Sequence, residues 1–332
     1  MNNEQIDFLA IGDIVTDAFI RLRDAEIQES INHQTKELCV RFGDKVPYES
    51  VQELRAVGNS ANAAVSAARL GVSSALVAHV GKDTHGQNCI DELVKNNVST
   101  AYIGVHEGMS TNYHYVLWYQ ADRTILVKHE HYPTAFPMDM VPPKMIYLSS
   151  LGDGTEEYHK EITSYIVAHP EIQLVFQPGT FQMKMDPAVL KDIYAHTYAF
   201  FCNVEEAKRI LNKPQETKIP ELFQGIHALG PKYIFISDGG DGAYASDGTE
   251  MWFMPIYPGE AYERTGAGDA FASTISVALL KGKPLKEALT WGPVNSMSVV
   301  KYVGAQKGLL TLPQLEQYLA DAPVDYTIKP IF

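Results

Sequence analysis

Short apolar segments rich in β-branched residues alternate along the chain with longer segments of helical periodicity. The apolar segments predict strands over residues 6–12, 74–80, 145–150, 172–178, 198–203 and 233–237. The segments between them predict helices over residues 60–70, 84–96, 155–168, 186–195, 204–212 and 217–229. This alternation is typical of a mostly parallel sheet that is covered by helices on both faces, which is an α/β/α sandwich of three layers.

The last third of the chain has a different pattern. The polar segment AYASDGTEMWFM predicts a hairpin over residues 243–254, and two or three helices follow it, over 269–281, 284–302 and 312–320. Gly282 is suited to the end of one helix and Pro284 to the first turn of the next, so the boundary between the first two helices falls there.

Two segments interrupt the alternation of strands and helices. Residues 18–55 carry many charges and alternating patches such as KELCVRF. Residues 110–128 read STNYHYVLWYQADRTILVK and predict a hairpin with Ala121 and Asp122 near its turn. Both segments predict antiparallel strands inserted into the α/β unit. We therefore expect one domain over residues 1–332, in which the inserted strands form a small sheet that covers a site as a lid.

Composition excludes several classes of protein. The 332 residues are 45% hydrophobic and carry a formal net charge of −13 with no long basic run, which argues against a nucleic-acid or anionic-membrane surface. No segment approaches the roughly 18 apolar residues of a membrane span, and the N-terminus has no leader pattern, so we expect a cytoplasmic protein. Cys39, Cys89 and Cys202 are widely spaced and predict reduced thiols in the core.

The segment ERTGAGDAFAST carries the most specific candidate chemistry. Gly266, Ala267 and Gly268 have little or no side chain, so their N–H groups can approach a ligand closely. If a helix begins here, its unpaired N–H groups and the positive end of its dipole favour a phosphoryl group. The same dipole favours the ionised form of Asp269, which could accept a proton. Alternatively, Asp269 only stabilises the helix, by roughly 0.3–1 kcal/mol.

The wider set of motifs identifies a family. No GxxxxGK[ST] segment occurs, and IGDIVTD stands where a dinucleotide-binding GxGxxG would follow the first strand. The segments GDIVTD, AVGNSANAAVSAARLG, VGKDTHG, NVEEA, ISDGGDGA, RTGAGDAF and VGAQKG resemble, in this order, the ribokinase/PfkB family of carbohydrate and nucleoside kinases. The resemblance spans nearly the whole chain. It implies a ribokinase-like fold, with a mostly parallel central sheet and a small inserted β-sheet lid.

The resemblance also implies catalytic roles. Asp269 corresponds to the base that deprotonates the substrate hydroxyl, and the backbone of residues 266–268 to the group that stabilises the γ-phosphoryl in transit. Asn203 and Glu206 correspond to the motif that organises Mg²⁺ and its waters beside ATP. From the residues alone, Asn203 and Glu206 equally fit a helix N-cap with an acidic third residue, and both roles can hold at once.

Several positions correspond to the family's nucleotide site. Ser237, Gly239 and Gly242 lie in the strand and turn that stand beside the nucleotide. Arg264 is a candidate for contact with the nucleotide phosphates. Asn295, on a predicted helix, resembles residues that line the adenine pocket. Taken alone, ISDGGDGA would be an ordinary glycine-rich entry to a hairpin.

Other positions correspond to the substrate site. Asp17 in GDIVTD matches the aspartate that binds sugar hydroxyls, and Asp13 is a second candidate. Gly58, Asn59 and Asn62 fall where the family's diglycine motif and following asparagine hold the sugar. Carboxylates and amides suit hydroxyl recognition because they pair with donors and acceptors at fixed geometry. From the residues alone, Asn59 also fits a helix cap and Asn62 a polar helix face.

Three positions depart from the family pattern. Val57 and Gly58 replace the two glycines associated with movement of the lid. Glu263 stands where many members have an aspartate that helps to hold a monovalent cation, so the resemblance leaves K⁺ activation open. Gln177 stands where many members have a carboxylate near the metal.

The substrate is the least determined property. The resemblance favours an ATP-dependent kinase of a hydroxymethyl group on a small sugar, such as ribose or fructose. A nucleoside kinase is the alternative with the same chemistry, and a non-catalytic sugar or nucleotide sensor is the alternative from another class. The aromatic residues of 113–119 could stack on a ligand, pack within the sheet or form a homodimer contact through the lid. His129 and His131 lie two positions apart on a probable strand and could suggest a metal site. Because no third ligand is evident, we expect them to be exposed histidines on that strand.

Overall fold

A computed structural model describes residues 5–29, 36–120 and 122–331. Their strands are β1 (Phe8–Ile11), β2 (Val15–Leu22), β3 (Glu26–Glu29), β4 (Lys36–Cys39), β5 (Tyr48–Val57), β6 (Ser74–Gly81), β7 (Val98–Ser99), β8 (Ile103–His106), β9 (Tyr113–Tyr119), β10 (Asp122–Leu126), β11 (Met145–Leu148), β12 (Gln173–Phe176), β13 (Thr197–Asn203), β14 (Tyr233–Ser237), β15 (Ala243–Ser246), β16 (Met251–Met254) and β17 (Lys329–Ile331). Their helices are α1 (Asn59–Arg69), α2 (Thr84–Lys95), α3 (Glu156–Ala168), α4 (Pro187–His196), α5 (Val204–Ile210), α6 (Ile219–His227), α7 (Ala267–Leu280), α8 (Leu285–Val299) and α9 (Leu312–Ala320).

The predicted strands and helices of the main unit are present, with bounds that differ by at most three residues. The main sheet has the order β17-β16-β15-β14-β13-β12-β11-β1-β6-β7, and β8 also pairs with β6. From β14 to β8 the pairs of this sheet are parallel, whereas β15, β16 and β17 are antiparallel. The short strands β7, β8 and β17 have too few residues for a periodic pattern and were not predicted.

Two hydrophobic cores lie on opposite faces of this sheet. Phe8 and Ala10 of β1 pack with apolar residues of α1, α7 and α8, whereas Leu9 and Ile11 pack with residues of α3, α4 and α6. Alternate side chains of a strand point to opposite faces, so burial of all four residues requires a helical layer on each side. The predicted three-layer α/β/α sandwich is confirmed.

The strand order places a crevice at the carboxyl end of β1. Strand β1 pairs with β6 on one side and with β11 on the other, so the chain that follows these strands turns to opposite sides of the sheet. Such a switch in direction opens a crevice outside the carboxyl ends of parallel strands, where ligands bind in open α/β sheets. Gly12 and Asp13 follow β1 at this point, and Ser149 and Ser150 follow β11.

A second sheet, which we call the inserted sheet, has the order β10-β9-β2-β5. The prediction of inserted strands is confirmed, and strands β3 and β4 form a separate antiparallel pair. The prediction that all inserted strands are antiparallel is wrong, because β2 and β9 are parallel. Both strands leave the main unit in the same direction, and each returns through its own antiparallel partner, β5 or β10. Residues 30–35 and Ala121 lie outside the described residues.

Two expectations from composition can be compared with the structure. Among the helices that the structure describes, none is long and apolar enough to cross a membrane. All three cysteines are free thiols, and Cys89 and Cys202 are buried as predicted. Cys39 is partly exposed, because it lies on β4 in the two-stranded pair rather than in the main unit.

Candidate active site

The segment Gly266–Asp269 forms a tight entry to α7. Gly266 is the N-cap and has a left-handed backbone with φ of 79°. A Cβ on this residue would lie 2.3 Å from the Cβ of Ala305, so only glycine fits without a shift of the neighbouring segment. Helix α7 begins at Ala267, two residues earlier than predicted, which makes Asp269 its third residue. The first N–H groups of a helix have no intrahelical acceptor, so those of Gly268 and Asp269 can bind an anion.

Asp269 is buried, with 9% of its surface exposed, and two amides hold its carboxylate. Asn62 Nδ2 donates to Oδ2 at 2.8 Å, and Gln177 Nε2 donates to Oδ1 at 3.5 Å. Burial raises the pKa of Asp269 above its ordinary value, while the hydrogen bonds from Asn62 and Gln177 act in the opposite direction. A raised pKa makes this carboxylate a stronger base than an exposed aspartate.

The two amides are themselves held in place. Asn62 Oδ1 accepts a hydrogen bond from Gln306 Nε2 at 3.0 Å, and the same nitrogen donates to the carbonyl oxygen of Ala56 at 2.7 Å. Asn62 was predicted to hold the substrate or to lie on a polar face of α1, but the structure directs its amide to Asp269. Gln177 accepts a hydrogen bond from the hydroxyl of Tyr147. Gln177 and Gln306 were not predicted as partners of the base, since their positions in sequence are remote from it.

Asp13 lies in the crevice after β1. The N–H of Gly152 contacts its carboxylate, whereas Oδ2 has no hydrogen-bond partner among the described residues and lies 3.5 Å from His129 Nδ1. Burial raises the pKa of Asp13 to about 6, and the Gly152 hydrogen bond and the charge of His114 oppose that rise. An acceptor without a partner in a crevice is costly unless a ligand supplies a donor.

Asp17, the first candidate for sugar binding, lies on β2 opposite His114 of β9. Its Oδ1 stands 3.3 Å from His114 Nδ1, and neither this oxygen nor His114 Nε2 has a hydrogen-bond partner among the described residues. Asp13 and Asp17 thus each present an open carboxylate oxygen beside an imidazole. This arrangement suits a ligand with several hydroxyl groups.

A cavity of about 50 Å³ adjoins Asp13. Its lining includes His79, His129, Tyr132 and Tyr158, and among the described residues no lysine or arginine lines it. His79 Nε2 and the buried hydroxyl of Tyr158 have no hydrogen-bond partner among the described residues. Burial lowers the pKa of His79 to about 4, with a further contribution from His106, so its imidazole is neutral at pH 7.

The prediction for His129 is wrong. This residue is neither on a strand nor freely exposed, because β10 ends at Leu126 and the chain then turns towards the crevice. His129 packs between Asp13, His114 and Phe181, and burial lowers its pKa. Strand alternation cannot reveal such a position, since it applies only while the strand continues.

Gly58 and Asn59 form the beginning of α1 beside Asp13. Gly58 has φ of 113°, and a Cβ on it would lie 2.7 Å from the carbonyl oxygen of Asp13. This close approach accounts for glycine at the single position that remains of the diglycine motif. Gly58 is also the N-cap, so Asn59 does not cap the helix. Asn59 is half-buried next to the crevice.

The candidate metal and nucleotide residues lie at the ends of neighbouring strands. Asn203 of β13 is in register with Ser237 of β14. Asn203 Oδ1 accepts from the Glu206 N–H, and Glu206 Oε2 accepts from the Asn203 N–H, both at 2.8 Å. Burial raises the pKa of Glu206, and the charge of Asp269 adds to this rise, so the two carboxylates face the same region. Asn203 and Glu206 form the predicted helix cap.

The structure brings some of the remaining predicted nucleotide residues to this region. Gly239 has φ of 54° with no atom within 4 Å of the place of a Cβ, so there is open space above it. Gly242 has φ of 114°, and a Cβ there would meet the carbonyl oxygen of Met254 at 2.6 Å. Arg264 is exposed. Asn295 is not brought to the site: it is fully buried, and its amide joins Thr274 Oγ1 at 2.7 Å to the Leu310 N–H at 2.9 Å.

Glu263 is buried in the loop that precedes α7. Its carboxylate accepts hydrogen bonds from the N–H of Thr265 at 2.8 Å and from that of Gly304 at 3.2 Å. It also forms an ion pair with Arg123, on β10 of the inserted sheet. The resemblance leaves a monovalent cation at Glu263 open, and in the structure the guanidinium of Arg123 supplies positive charge to this carboxylate.

The chain is similar to known proteins over most of its length. The family model described as pfkB family carbohydrate kinase matches residues 29–312. Ribokinase of Bacillus subtilis (strain 168) is 28% identical over 269 residues, which are 79% of this chain and 87% of that protein. The structure of Arabidopsis thaliana ribokinase complexed with ribose and ATP has a TM-score of 0.78 at 18% identity, and covers 95% of this chain and 99% of that chain. The structure of a putative ribokinase II from E. coli in complex with ATP and Mg²⁺ has a TM-score of 0.74 at 17% identity. It covers 95% of this chain and 99% of that chain.

Proposed function

The chain belongs to the pfkB family of carbohydrate kinases, and from this premise we propose that it transfers the γ-phosphoryl group of ATP to a hydroxymethyl group of a small neutral sugar, such as ribose or fructose. The observation that carries the proposal is the placement of Asp269. Its buried carboxylate, held by two amides, stands in the first turn of a helix whose free N–H groups can bind the transferred phosphoryl group.

In the proposed reaction Asp269 takes the proton of the attacking hydroxyl. The hydroxyl oxygen forms a bond to the γ-phosphorus while the bond from that phosphorus to the β–γ bridging oxygen breaks, and ADP leaves with the electron pair. The N–H groups of Gly268 and Asp269, together with the dipole of α7, stabilise the charge on the phosphoryl oxygens during transfer. Asn62 and Gln177 keep the base directed at the hydroxyl.

The acceptor side favours a neutral polyhydroxylated compound. The open oxygens of Asp13 and Asp17 can accept hydrogen bonds from sugar hydroxyls. In the part of the chain that the structure describes, no lysine or arginine lines the cavity beside Asp13 to balance the charge of a substrate carboxylate or phosphate. At about 15 Å³ per small group on this measure, a cavity of about 50 Å³ admits about three non-hydrogen atoms. This volume suits one end of a sugar chain better than the nucleobase of a nucleoside.

Asn203 and Glu206 fit the part of the site that faces Mg²⁺. Both offer oxygen donors, which this cation prefers, and the partly buried carboxylate of Glu206 is close enough to Asp269 and to Arg209 for both charges to act on it. The role proposed for these residues is to hold the hydrated cation. The cation, when bound, neutralises charge on the triphosphate.

A homodimer through the inserted sheet is the proposed assembly. Tyr115, Leu126 and Val51 are each about half-exposed on one face of this sheet. Apolar side chains that are exposed together on a sheet favour association with a second surface. Sedimentation velocity of the wild-type protein and of Tyr115→Lys would test the proposal, with a shift from dimer to monomer expected for the variant.

Turnover of ATP with a panel of acceptors tests the function. The panel should contain neutral pentoses and hexoses, sugar acids, sugar phosphates and nucleosides, each with Mg²⁺. We expect the highest kcat/KM with a neutral sugar. Asp269→Asn should lower kcat by about a thousand-fold or more while ATP binding persists, since only the base is lost.

Other outcomes of the panel would contradict the proposal in different ways. Preference for a nucleoside would favour the alternative acceptor class. Tight binding of a sugar or of ATP with no phosphorylated product would favour a sensor. Activity of Asp269→Asn close to the wild-type value would refute the role of the base.

A further inference from the structure

The ion pair between Arg123 and Glu263 joins two parts of the fold that are otherwise separate. Arg123 lies on β10 of the inserted sheet, and Glu263 lies in the loop that leads into α7, 140 positions later. The Glu263 side chain is only 8% exposed and that of Arg123 is 33% exposed. Removal of a carboxylate from water requires a compensating charge or hydrogen bonds. Among the described residues, Arg123 is the cation that contacts Glu263.

Glu263 in turn organises the loop around the proposed phosphoryl site. It accepts hydrogen bonds from the backbone N–H and the hydroxyl of Thr265, the residue before Gly266. It also accepts one from the N–H of Gly304, the residue before Ala305, against which Gly266 packs. One carboxylate therefore fixes both backbone segments that shape the left-handed entry to α7.

A second contact brings the same hairpin to the same loop. Trp118 is in register with Arg123 on the hairpin, and its ring meets that of Tyr262 edge-on at 6.1 Å. Tyr262 immediately precedes Glu263 in the chain. Arg21 of β2 stacks over Trp118 at 4.8 Å and so supports its position. The hairpin thus reaches the loop through an ion pair and an aromatic contact side by side.

We propose that the guanidinium of Arg123 is a built-in cation that holds the loop before α7 in its active geometry, in the place of the monovalent metal ion that the resemblance leaves open. Arg123 is then a positioning residue that acts through Glu263. Arg123 is carried by the inserted sheet. The loop therefore reaches full order only when this sheet lies against the main unit. The inference rests on the proposed kinase function, and it implies that the wild-type protein needs no added K⁺ or Na⁺.

Substitution at Arg123 tests the proposal directly. Arg123→Ala leaves the Glu263 carboxylate without its counter-charge, so kcat should fall by about 10- to 100-fold. Guanidinium or K⁺ at millimolar concentration, at constant ionic strength, should restore activity of the variant several-fold and leave the wild type unchanged. Arg123→Lys should retain an intermediate kcat. Arg55→Ala removes an exposed arginine of the same sheet that pairs with Glu53 and not with the loop, and should behave as the wild type.

Two measurements do not depend on turnover. Hydrogen exchange over residues 262–268 should be faster in Arg123→Ala than in Arg55→Ala and should slow when guanidinium is added. In a double-mutant cycle, Glu263→Gln combined with Arg123→Ala should be no less stable to heat than Arg123→Ala alone, because the glutamine removes the unpaired charge. The Arg123→Lys variant provides the same comparison if Arg123→Ala does not fold.

Several results would overturn the inference. Activation of the wild type several-fold by K⁺ would show that a metal ion, and not Arg123, supplies the charge. An Arg123→Ala variant with wild-type kcat and wild-type exchange would show that the ion pair has no positioning role. If the wild type phosphorylates no acceptor, the proposed function fails, and the exchange and thermal measurements still decide whether Arg123 orders the loop.

Discussion

Asp13 offers a direct test of the electrostatics of the crevice. The ordinary pKa of an aspartate is 3.8 and burial raises that of Asp13 to about 6, so the ionised carboxylate is disfavoured in the folded protein. Asp13→Asn removes this charge and keeps an oxygen that can accept from the Gly152 N–H. Because the ionised form costs free energy on folding, the variant should be more stable than the wild type at neutral and alkaline pH.

The magnitude and its sign follow from proton linkage. A rise of about two pH units, at about 1.4 kcal/mol per unit, makes the ionised Asp13 cost about 3 kcal/mol at pH 8. This is an upper limit, because 28% of the side chain is exposed to water. The folded protein binds the extra proton between about pH 4 and pH 6. The cost is therefore absent below pH 4, about half developed at pH 5 and complete above pH 6–7.

Thermal unfolding of Asp13→Asn and the wild type at pH 5 and pH 8 provides the assay. The expected change in Tm is the change in free energy divided by the unfolding entropy, which is about 2.1 cal/mol/K per residue over 332 residues. A gain of about 3 kcal/mol at pH 8 therefore raises Tm by about 4 °C, and the rise at pH 5 should be about half of that. Asp24→Asn, at an exposed carboxylate, should leave Tm unchanged at both values. KM for the sugar should rise about 10-fold or more, since a charged acceptor is lost.

A variant that is less stable than the wild type at pH 8 would refute this reasoning. So would an increase in Tm that is equal at pH 5 and pH 8, because the effect would then not arise from the charge. An increase in Tm with an unchanged KM would keep the electrostatic argument and remove Asp13 from the substrate site.

Three further predictions concern the base, the loop and the metal. Gln177→Ala removes a hydrogen bond that lowers the pKa of Asp269, so the pKa of this aspartate should rise further. The acid limb of the kcat/KM profile should then move to higher pH, and an unshifted limb would contradict this. Gly266→Ala should lower kcat at least 10-fold and destabilise the protein by about 1–2 kcal/mol or more in thermal unfolding, whereas Gly268→Ala, with no atom closer than 3.9 Å, should keep the wild-type Tm. Chelation of Mg²⁺ should abolish turnover, and Glu206→Gln should raise the Mg²⁺ concentration for half-maximal rate by about 10-fold; equal Mg²⁺ dependence of the two proteins would exclude Glu206 from the metal site.

Local patterns predicted the elements of the main unit and the start of a helix close to Asp269. The helices and strands are periodic over several turns or pleats, and the Gly266–Asp269 segment is contiguous, so each could be identified without knowledge of the fold. The parallel pairing of β2 with β9 could not be predicted, because it depends on the directions in which two distant insertions leave the main unit.

The connections between remote residues were not visible in the sequence. The hydrogen bond from Asn62 to Asp269 joins positions 207 apart, and that from Gln177 to Asp269 joins positions 92 apart. Asn295 shows a second kind of ambiguity. A polar residue on an apolar helix can face a ligand or a buried partner, and here two buried groups satisfy it. Only the tertiary structure distinguishes these cases.

The hydrogen bonds of Gln306 bear on whether water can hydrolyse ATP at this site. Its side chain binds both the carbonyl oxygen of Ala56, close to the end of β5, and Asn62, which directs Asp269. Water can attack ATP as readily as an alcohol can if a base is aligned beside it. Because Gln306 binds both the root of the inserted sheet and Asn62, a displacement of this sheet would disturb the alignment of Asp269. We expect wasteful hydrolysis of ATP to be suppressed until an acceptor is enclosed.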